Sequence, residues 1–190
     1  MANISLWNIE MVPWYAFAFY WAVSALRVKS TKATEPLAAR VYTVCLVGAA
    51  FWLLFTDGFT SSVLGRRFLV STPWIVGIGI GLTYAGVALA IWARWSLGKN
   101  WSARVSLKVD HELIRSGPYA RLRHPIYSGL LLALIGTALV LGEWRGLLAV
   151  VIVGVAHSLK AKREEALMLA TFGEQYRTYR HQAGFLLPRL

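Results

Sequence analysis

Cysteine and acidic residues are scarce in this chain of 190 residues, which has one Cys and nine Asp and Glu against 20 Lys and Arg. The single cysteine, Cys45, cannot form an internal disulfide, and its place in an apolar run argues against thiolate metal ligation. The His and carboxylate spacings match no recurrent zinc pattern such as HExxH, so no metal centre is predicted. No nucleophile-elbow pattern surrounds Ser116 or Ser128, which leaves a serine hydrolase unsupported.

Apolar residues are abundant. They make up 57% of the chain, with nine Trp and a mean hydropathy of +0.51. A domain of this size cannot bury so much apolar surface within itself, so a bilayer must supply the remaining solvent. The net charge of +11 does not indicate a nucleic-acid partner, because the basic residues lie beside apolar runs. We see no repeat and no linker, and therefore expect a single multi-pass domain over residues 1–190.

Five apolar stretches are long enough to be transmembrane helices, given about 30 Å of hydrocarbon and about 1.5 Å per residue. The predicted spans are residues 9–28, 39–56, 73–95, 126–141 and 147–159. The last two are short and are separated by residues 142–146, which predicts a tight helical hairpin. Pro125 suits the first turn of the fourth helix, where a missing N–H costs nothing. The expected fold is an all-α integral membrane protein.

Basic residues predict the orientation. If the N-terminus is outside, 17 of the 20 Lys and Arg fall on the cytosolic side, and only Arg66, Arg67 and Arg145 remain outside. The positive-inside rule therefore predicts a membrane protein with its N-terminus outside and its C-terminus in the cytosol. In the third span, Gly77, Gly79, Gly81 and Gly86 lack the strand and turn of a nucleotide-binding loop, and instead predict close helix packing.

A dense polar segment, DHELIRSGPYARLRHPIYSG at residues 110–129, lies directly between two apolar spans. It is too rich in Arg, His and Tyr to be a simple connector, so we expect it to form part of the functional site. The helix that follows the fifth span should form the other part, so that the predicted site covers residues 104–129 and 157–180. Aromatic rings, backbone donors and a carboxylate on a neighbouring helix suit a cationic, polar cofactor with an adenine ring and an amino-acid tail.

The fifth helix carries the second half of this predicted site. His157, Lys160 and Glu164 share one helical face at i, i+3 and i+7. His157 is either a hydrogen-bonded packing residue or a catalytic one, and Lys160 with Glu164 is either a snorkelling surface pair or part of the site. Beyond them the sequence is basic and amphipathic, with an interruption expected at Gly173. This segment is either an interfacial helix or a cover for the polar loop.

Two segments resemble a known family: HELIRSGPYARLRHPIYSG at 111–129 and KAKREEALMLATFGEQYRTY at 160–179. They are similar to the integral-membrane isoprenylcysteine carboxyl methyltransferases, which are related to the phospholipid N-methyltransferases. The resemblance implies methyl transfer from S-adenosylmethionine, held in a cytosolic loop pocket, to a lipidic acceptor that enters from the bilayer. The cofactor residues it implies are His111, Glu112, Leu113, Ile114, Tyr119, His124, Pro125, Ile126, Tyr127 and Glu164.

Lys160 departs from that family's pattern, which has a substrate-side arginine one helical turn before the glutamate. Lysine offers a point charge rather than a planar fork, so Lys160 is expected to orient the acceptor in a different way. The acceptor atom stays open between a carboxylate, an amine of a phospholipid and a thiol. Two alternative hypotheses for the function are a sterol-type reductase that uses NADPH and a non-enzymatic membrane protein that binds lipid.

Overall fold

Helices dominate the computed structural model, which describes residues 6–26, 31–34, 36–56, 58–59, 61–98, 101, 106–108 and 113–189. Its elements are α1 (Leu6–Ala25), β1 (Thr31–Thr34), α2 (Leu37–Phe55), α3 (Pro73–Leu97), β2 (Ser106–Lys108), α4 (Pro125–Leu141), α5 (Trp144–Phe172) and α6 (Glu174–Gln182). The predicted site residues His111 and Glu112 lie outside the described residues.

Each predicted span has a corresponding helix. α5 runs from Trp144 to Phe172, so the helix continues past the predicted end of the fifth span at residue 159, as the shared face of His157, Lys160 and Glu164 requires. Gly173 has a φ of +50°, a conformation that glycine adopts without steric cost, and α6 begins directly after it. The interruption expected at Gly173 is therefore confirmed, and so is Pro125 at the start of α4.

The fold is all-α as predicted, with one addition that was not predicted, a short antiparallel sheet between β1 and β2. Thr31 pairs with Lys108, and Thr34 pairs with Ser106. Strands of four and three residues carry no readable alternation of polar and apolar side chains, and their partners are far apart in sequence. The sheet connects the chain after α1 to the segment that leads into the predicted site.

Three of the described helices are long and apolar enough to cross a membrane: α2, α3 and α5. α4 is apolar but has only 17 residues. α1 has 20 residues, and Glu10 together with its Trp and Tyr residues lowers its hydropathy. The chain is an integral membrane protein, whereas the number of five crossings stays a prediction.

Glycines bring α3 and α4 into close contact. A Cβ on Gly79 would lie 2.8 Å from the carbonyl oxygen of Gly136, and a Cβ on Gly129 would lie 2.7 Å from the backbone nitrogen of Ala90. Gly77 and Gly81 have open space where a Cβ would be. The predicted packing role of the α3 glycines is thus confirmed for Gly79, and Gly86 packs against α4 in the same way.

A buried polar cluster joins α1 to this helix pair. The carboxyl of Glu10 is fully buried and accepts hydrogen bonds from the hydroxyls of Thr83 (2.7 Å) and Thr137 (2.6 Å). The indole N–H of Trp14 donates to Thr137 at 3.0 Å. Because an unsatisfied polar group is costly in an apolar interior, these bonds fix how α1 packs on α3 and α4.

α4 and α5 are separated by only Gly142 and Glu143. Gly142 ends α4 in the left-handed conformation, with a φ of +66°. The two helices are antiparallel. Near the loop, a Cβ on Gly146 of α5 would contact Ala138 of α4, and at the other end of α4 the ring of Tyr127 stacks on His157 of α5. The antiparallel pair therefore brings the start of α4 beside the second half of α5, where the predicted site residues lie.

Candidate active site

A cavity of about 650 Å³ lies between α1, α2, α4, α5 and α6, and residues 113–124 form one wall. One end is polar and includes Tyr119, His124 and Glu164. The other end is apolar, and it is built from Phe17 of α1, Phe51 of α2, Leu134 of α4 and Val153 of α5, which belong to one hydrophobic cluster. Such a cavity can hold a polar ligand and an apolar one end to end.

The paired glutamates of α5 face different surroundings. Glu164 lines the cavity, whereas Glu165 is buried away from it and forms an ion pair with Arg123 at 2.6 Å. Arg180 of α6 also approaches Glu165, at 3.5 Å. Two adjacent carboxylates thus have separate roles: one lines the cavity, and the other attaches the polar loop and α6 to α5.

His124 lies between these two carboxylates. Its Nδ1 is 3.5 Å from Glu164 Oε2, and its Nε2 is 3.3 Å from Glu165 Oε1. Burial lowers the pKa of His124, but the hydrogen bonds and negative charges of Glu164 and Glu165 outweigh it, so that the pKa is raised above its ordinary value of 6.5. A protonated His124 neutralises charge beside the cavity and fixes both carboxylates.

Three rings stack along the cavity wall. Tyr127 lies against His124 on one side, with ring centroids 5.6 Å apart, and against His157 on the other, at 4.6 Å. The hydroxyl of Tyr127 donates to Glu164 at 2.6 Å, and Lys160 Nζ lies 5.7 Å from the centroid of the Tyr127 ring. Tyr127 therefore contacts both Glu164 and Lys160, two residues that the sequence analysis assigned to the site.

α6 closes the polar end of the cavity. The hydroxyl of Tyr179 donates to the backbone oxygens of Tyr119 (2.7 Å) and Leu122 (3.2 Å). Burial raises the pKa of the Tyr179 hydroxyl to about 12, so the hydroxyl remains a donor at neutral pH. Tyr176 of the same helix lines the cavity as well.

The last described residues hold the polar loop in place. Gly184 N–H donates to Arg121 O at 3.0 Å, Arg123 N–H donates to Gly184 O at 2.8 Å, and the Ser128 hydroxyl donates to Leu186 O at 2.7 Å. The side chain of Arg123 adds a 3.1 Å bond to the backbone oxygen of Arg180. The loop that carries His124 is therefore fixed by the C-terminal segment as well as by α5.

The predicted site residues converge in the described part of the chain. Those that line the cavity are Leu113, Ile114, Tyr119, His124, Ile126, Tyr127, Lys160 and Glu164. Pro125 is buried at the first position of α4 and does not line it. His111 and Glu112 cannot be compared, because they lie outside the described residues.

Five further residues line the cavity and fall within the predicted ranges 104–129 and 157–180, although the sequence analysis did not name them individually: Arg123, Leu167, Met168, Tyr176 and Tyr179. Leu167 and Met168 lie one turn beyond Glu164 on the same side of α5, so helical spacing could have found them. Arg123 lies in the RHPIY part of the segment that carries the resemblance, but its contacts could not be predicted, because its partners Glu165 and Ala183 are distant in sequence. Among the described residues, no three His, Cys, Asp or Glu side chains converge in a way that could hold a metal ion.

Comparisons with known proteins point to one family. The sequence profile of the phospholipid methyltransferase family matches residues 74–175, more than half of the chain. A protein-S-isoprenylcysteine O-methyltransferase of Schizosaccharomyces pombe is 31% identical over 160 residues, which cover 74% of this chain and 68% of that protein. A methanethiol S-methyltransferase of a Pseudomonas species is 26% identical over 167 residues, which cover 83% of this chain and 61% of that one.

A solved structure has the same fold. The eukaryotic intramembrane Ras methyltransferase ICMT superposes with a TM-score of 0.64 at 24% identity, over 98% of this chain and 67% of that one. The chain spans 51% of the length of the human isoprenylcysteine O-methyltransferase that it also matches. On the family profile and the yeast relative, the chain belongs to the phospholipid methyltransferase family and is an integral-membrane methyltransferase similar to isoprenylcysteine carboxyl methyltransferase.

Proposed function

We propose that this protein transfers a methyl group from S-adenosylmethionine to an apolar acceptor at the cytosolic face of the membrane. The observation that carries the proposal is one cavity whose polar end holds Glu164 among aromatic rings and whose other end is apolar. A soluble cationic donor and a lipidic acceptor would each find matching surroundings there. The relatives' names give both oxygen and sulfur acceptors, so family membership does not select the acceptor atom.

The residues at the polar end fit S-adenosylmethionine, which supplies an electrophilic methyl group on a sulfonium when it is bound. A sulfonium is favoured beside the Glu164 carboxylate and against the ring of Tyr119, which lines the cavity, whereas both faces of Tyr127 are covered by His124 and His157. Tyr127 holds the Glu164 carboxylate by its hydroxyl, and His124 holds the other carboxylate oxygen. The pocket is thus preorganised for a cation, and little side-chain freedom is lost when the cation binds.

The protein's contribution to the reaction is alignment and exclusion of water. Methyl transfer is an in-line displacement, for which positioning two reactants can supply several kcal/mol, of the order of 7 to 11 in favourable cases. The apolar side chains of α1, α2 and α4 at the acceptor end would disfavour water beside the acceptor. Lys160, between the two ends, would orient an acceptor that carries negative charge.

The experiment that tests this function is calorimetric titration of the whole protein, purified in detergent, with S-adenosylmethionine, S-adenosylhomocysteine and NADPH. Binding of the first two, without NADPH, supports a methyltransferase site. Binding of NADPH alone would support the reductase reading instead. Binding of none of the three would contradict the assignment of this cavity to a soluble cofactor.

A further inference from the structure

A second cavity, of about 340 Å³, lies between the end of α5 and α6, and we call it the basic groove. Among the described residues, those that line it are Arg123, Leu169, Arg177, Arg180 and His181. Three of the five are arginines, and the nearby carboxylates of Glu165 and Glu174 do not belong to the lining. A groove of this composition is suited to an anion.

The arginines of the basic groove are only partly neutralised by carboxylates. Arg123 and Arg180 both contact Glu165, at 2.6 Å and 3.5 Å. Arg177 pairs with Glu174, but the two side chains are 61% and 79% exposed, so water screens their attraction. Two carboxylates thus serve three guanidinium groups, and an anion in the groove would form charge-assisted hydrogen bonds that the protein leaves open to a ligand.

The basic groove lies at the depth of phospholipid headgroups. α5 has 29 residues and is therefore about 43 Å long, whereas the hydrocarbon of a bilayer is about 30 Å thick. The helix begins at Trp144, a residue type that favours the interface, and Leu169 lies roughly 38 Å further along the helix. The end of α5 and all of α6 should therefore lie beyond the hydrocarbon, among the phosphates of one leaflet.

Arg123 connects the basic groove to the candidate active site, because it lines both cavities. Its side chain also donates to the backbone oxygen of Arg180 at 3.1 Å, which attaches α6 to the polar loop. α6 follows α5 through Gly173, and its Tyr176 and Tyr179 line the main cavity. An anion bound between α5, α6 and Arg123 would therefore hold α6 in place over the polar end of that cavity.

We propose that the basic groove binds the phosphate group of an anionic phospholipid and that this lipid strengthens cofactor binding in the neighbouring cavity. The guanidinium groups of Arg177 and Arg180 would donate to phosphate oxygens, and Leu169 would contact the apolar part of the lipid. Anionic lipids are enriched in the cytosolic leaflet, which agrees with the expected orientation. Lipid and cofactor would raise each other's affinity by the same factor. The lipid site is independent of the proposed function, and only its effect on the cofactor rests on that function.

The first experiment measures binding to the groove without cofactor. The whole protein in a neutral detergent is titrated calorimetrically with dioctanoyl phosphatidylglycerol, with dioctanoyl phosphatidylcholine and with inorganic phosphate. Phosphatidylglycerol should bind most tightly, because phosphatidylcholine carries a compensating positive charge and inorganic phosphate has no apolar part. Equal binding of the two lipids would overturn the anion site. Inorganic phosphate that binds as tightly as phosphatidylglycerol would overturn the lipid as its ligand and indicate a soluble anion.

Single-charge variants separate a defined site from diffuse attraction. Arg177→Gln should weaken phosphatidylglycerol binding roughly fivefold, as expected for the loss of one basic residue beside an anionic lipid. Lys162→Gln is the matched control, because Lys162 is exposed on α5 and does not line the groove. Glu174→Gln should tighten binding, since it releases Arg177 from its ion pair. Equal losses for Arg177→Gln and Lys162→Gln would overturn the groove as the binding site.

The second experiment measures the effect of the lipid on the cofactor cavity. The protein is placed in nanodiscs of phosphatidylcholine, with or without phosphatidylglycerol, and is titrated with S-adenosylhomocysteine, which has no net charge for the membrane to attract. Wild type should bind it about fivefold more tightly when phosphatidylglycerol is present, and Arg177→Gln should lose most of this gain. Equal affinity in both nanodiscs would overturn the coupling. Absence of S-adenosylhomocysteine binding in both would overturn the proposed function, and the first experiment would still decide the lipid site.

Discussion

The hydroxyl of Tyr127 donates a 2.6 Å hydrogen bond to Glu164, and this bond joins the first turn of α4 to the second half of α5. The two residues belong to the two sequence segments that carry the family resemblance. Their contact brings both segments to one cavity, and it holds the carboxylate at a fixed position in the wall. Glu165, the next residue, does not line the cavity and is held by Arg123.

Glu164→Gln should therefore weaken cofactor binding much more than Glu165→Gln. Loss of a charge-assisted interaction in a partly buried site costs about 1.5 to 3 kcal/mol. Calorimetric titration with S-adenosylmethionine measures both variants, and Glu165→Gln is the matched control on the same helix. Equal affinities would remove Glu164 from the site.

The two segments could be selected from the sequence because their residue types are unusual between apolar spans. The short distances from His124 to Glu164 and Glu165 could not be predicted from the sequence. They depend on the antiparallel contact between α4 and α5 and on the C-terminal segment that holds the loop. The lack of a hydrogen-bond partner for His157 Nδ1 among the described residues could not be predicted either, because it depends on which side chains pack around the ring and not on sequence spacing. The continuation of α5 past residue 159 could be predicted, because His157, Lys160 and Glu164 have helical spacing and Gly173 is the next residue that interrupts a helix.

His124 should make stability depend on pH. Its pKa is raised in the folded protein above the ordinary value of 6.5, so protonation favours folding. The stabilisation is fully present below about pH 6.5 and is lost as the pH rises through the higher folded-state pKa. Unfolding by denaturant in detergent, measured from mildly acidic to alkaline pH, should show a stability advantage of wild type over His124→Gln that shrinks as the pH rises. An advantage that grows with pH would contradict the pairing with Glu164 and Glu165.

The close contact of α3 with α4 predicts different effects for two glycines of one helix. A Cβ on Gly79 would press on backbone and on Val140, whereas a Cβ on Gly81 meets nothing within 4 Å. Gly79→Ala should destabilise the protein by about 1 to 3 kcal/mol. Gly81→Ala should be neutral or stabilising, because alanine favours a helix. Thermal unfolding of both variants in the same detergent gives the comparison, and equal Tm values would contradict the observed packing.

The predicted topology can be measured by labelling. In a Cys45→Ala background, a membrane-impermeant thiol reagent should reach a cysteine at Ser62 from outside sealed cells. It should reach one at Ser106 only after the membrane is opened. The basis is the excess of basic residues on one side, 17 against three. Labelling at Ser106 in sealed cells would reverse the orientation and put the proposed site on the outer face.

Lys160 has a role that two substitutions can define. If its ammonium orients an anionic acceptor group, Lys160→Met should lower kcat/KM for the acceptor by roughly 10 to 100-fold, or about 1.4 to 2.7 kcal/mol of transition-state stabilisation, while cofactor affinity stays nearly unchanged. Lys160→Arg keeps the charge and should retain most of the activity, because a thiolate or carboxylate needs a nearby cation more than it needs a particular donor geometry. If the lysine only snorkels, methionine keeps the packing of its stem and should be tolerated. Full activity of Lys160→Met with every acceptor tested would therefore exclude Lys160 from acceptor binding. The negative charge of the acceptor group would then have to be balanced by another residue.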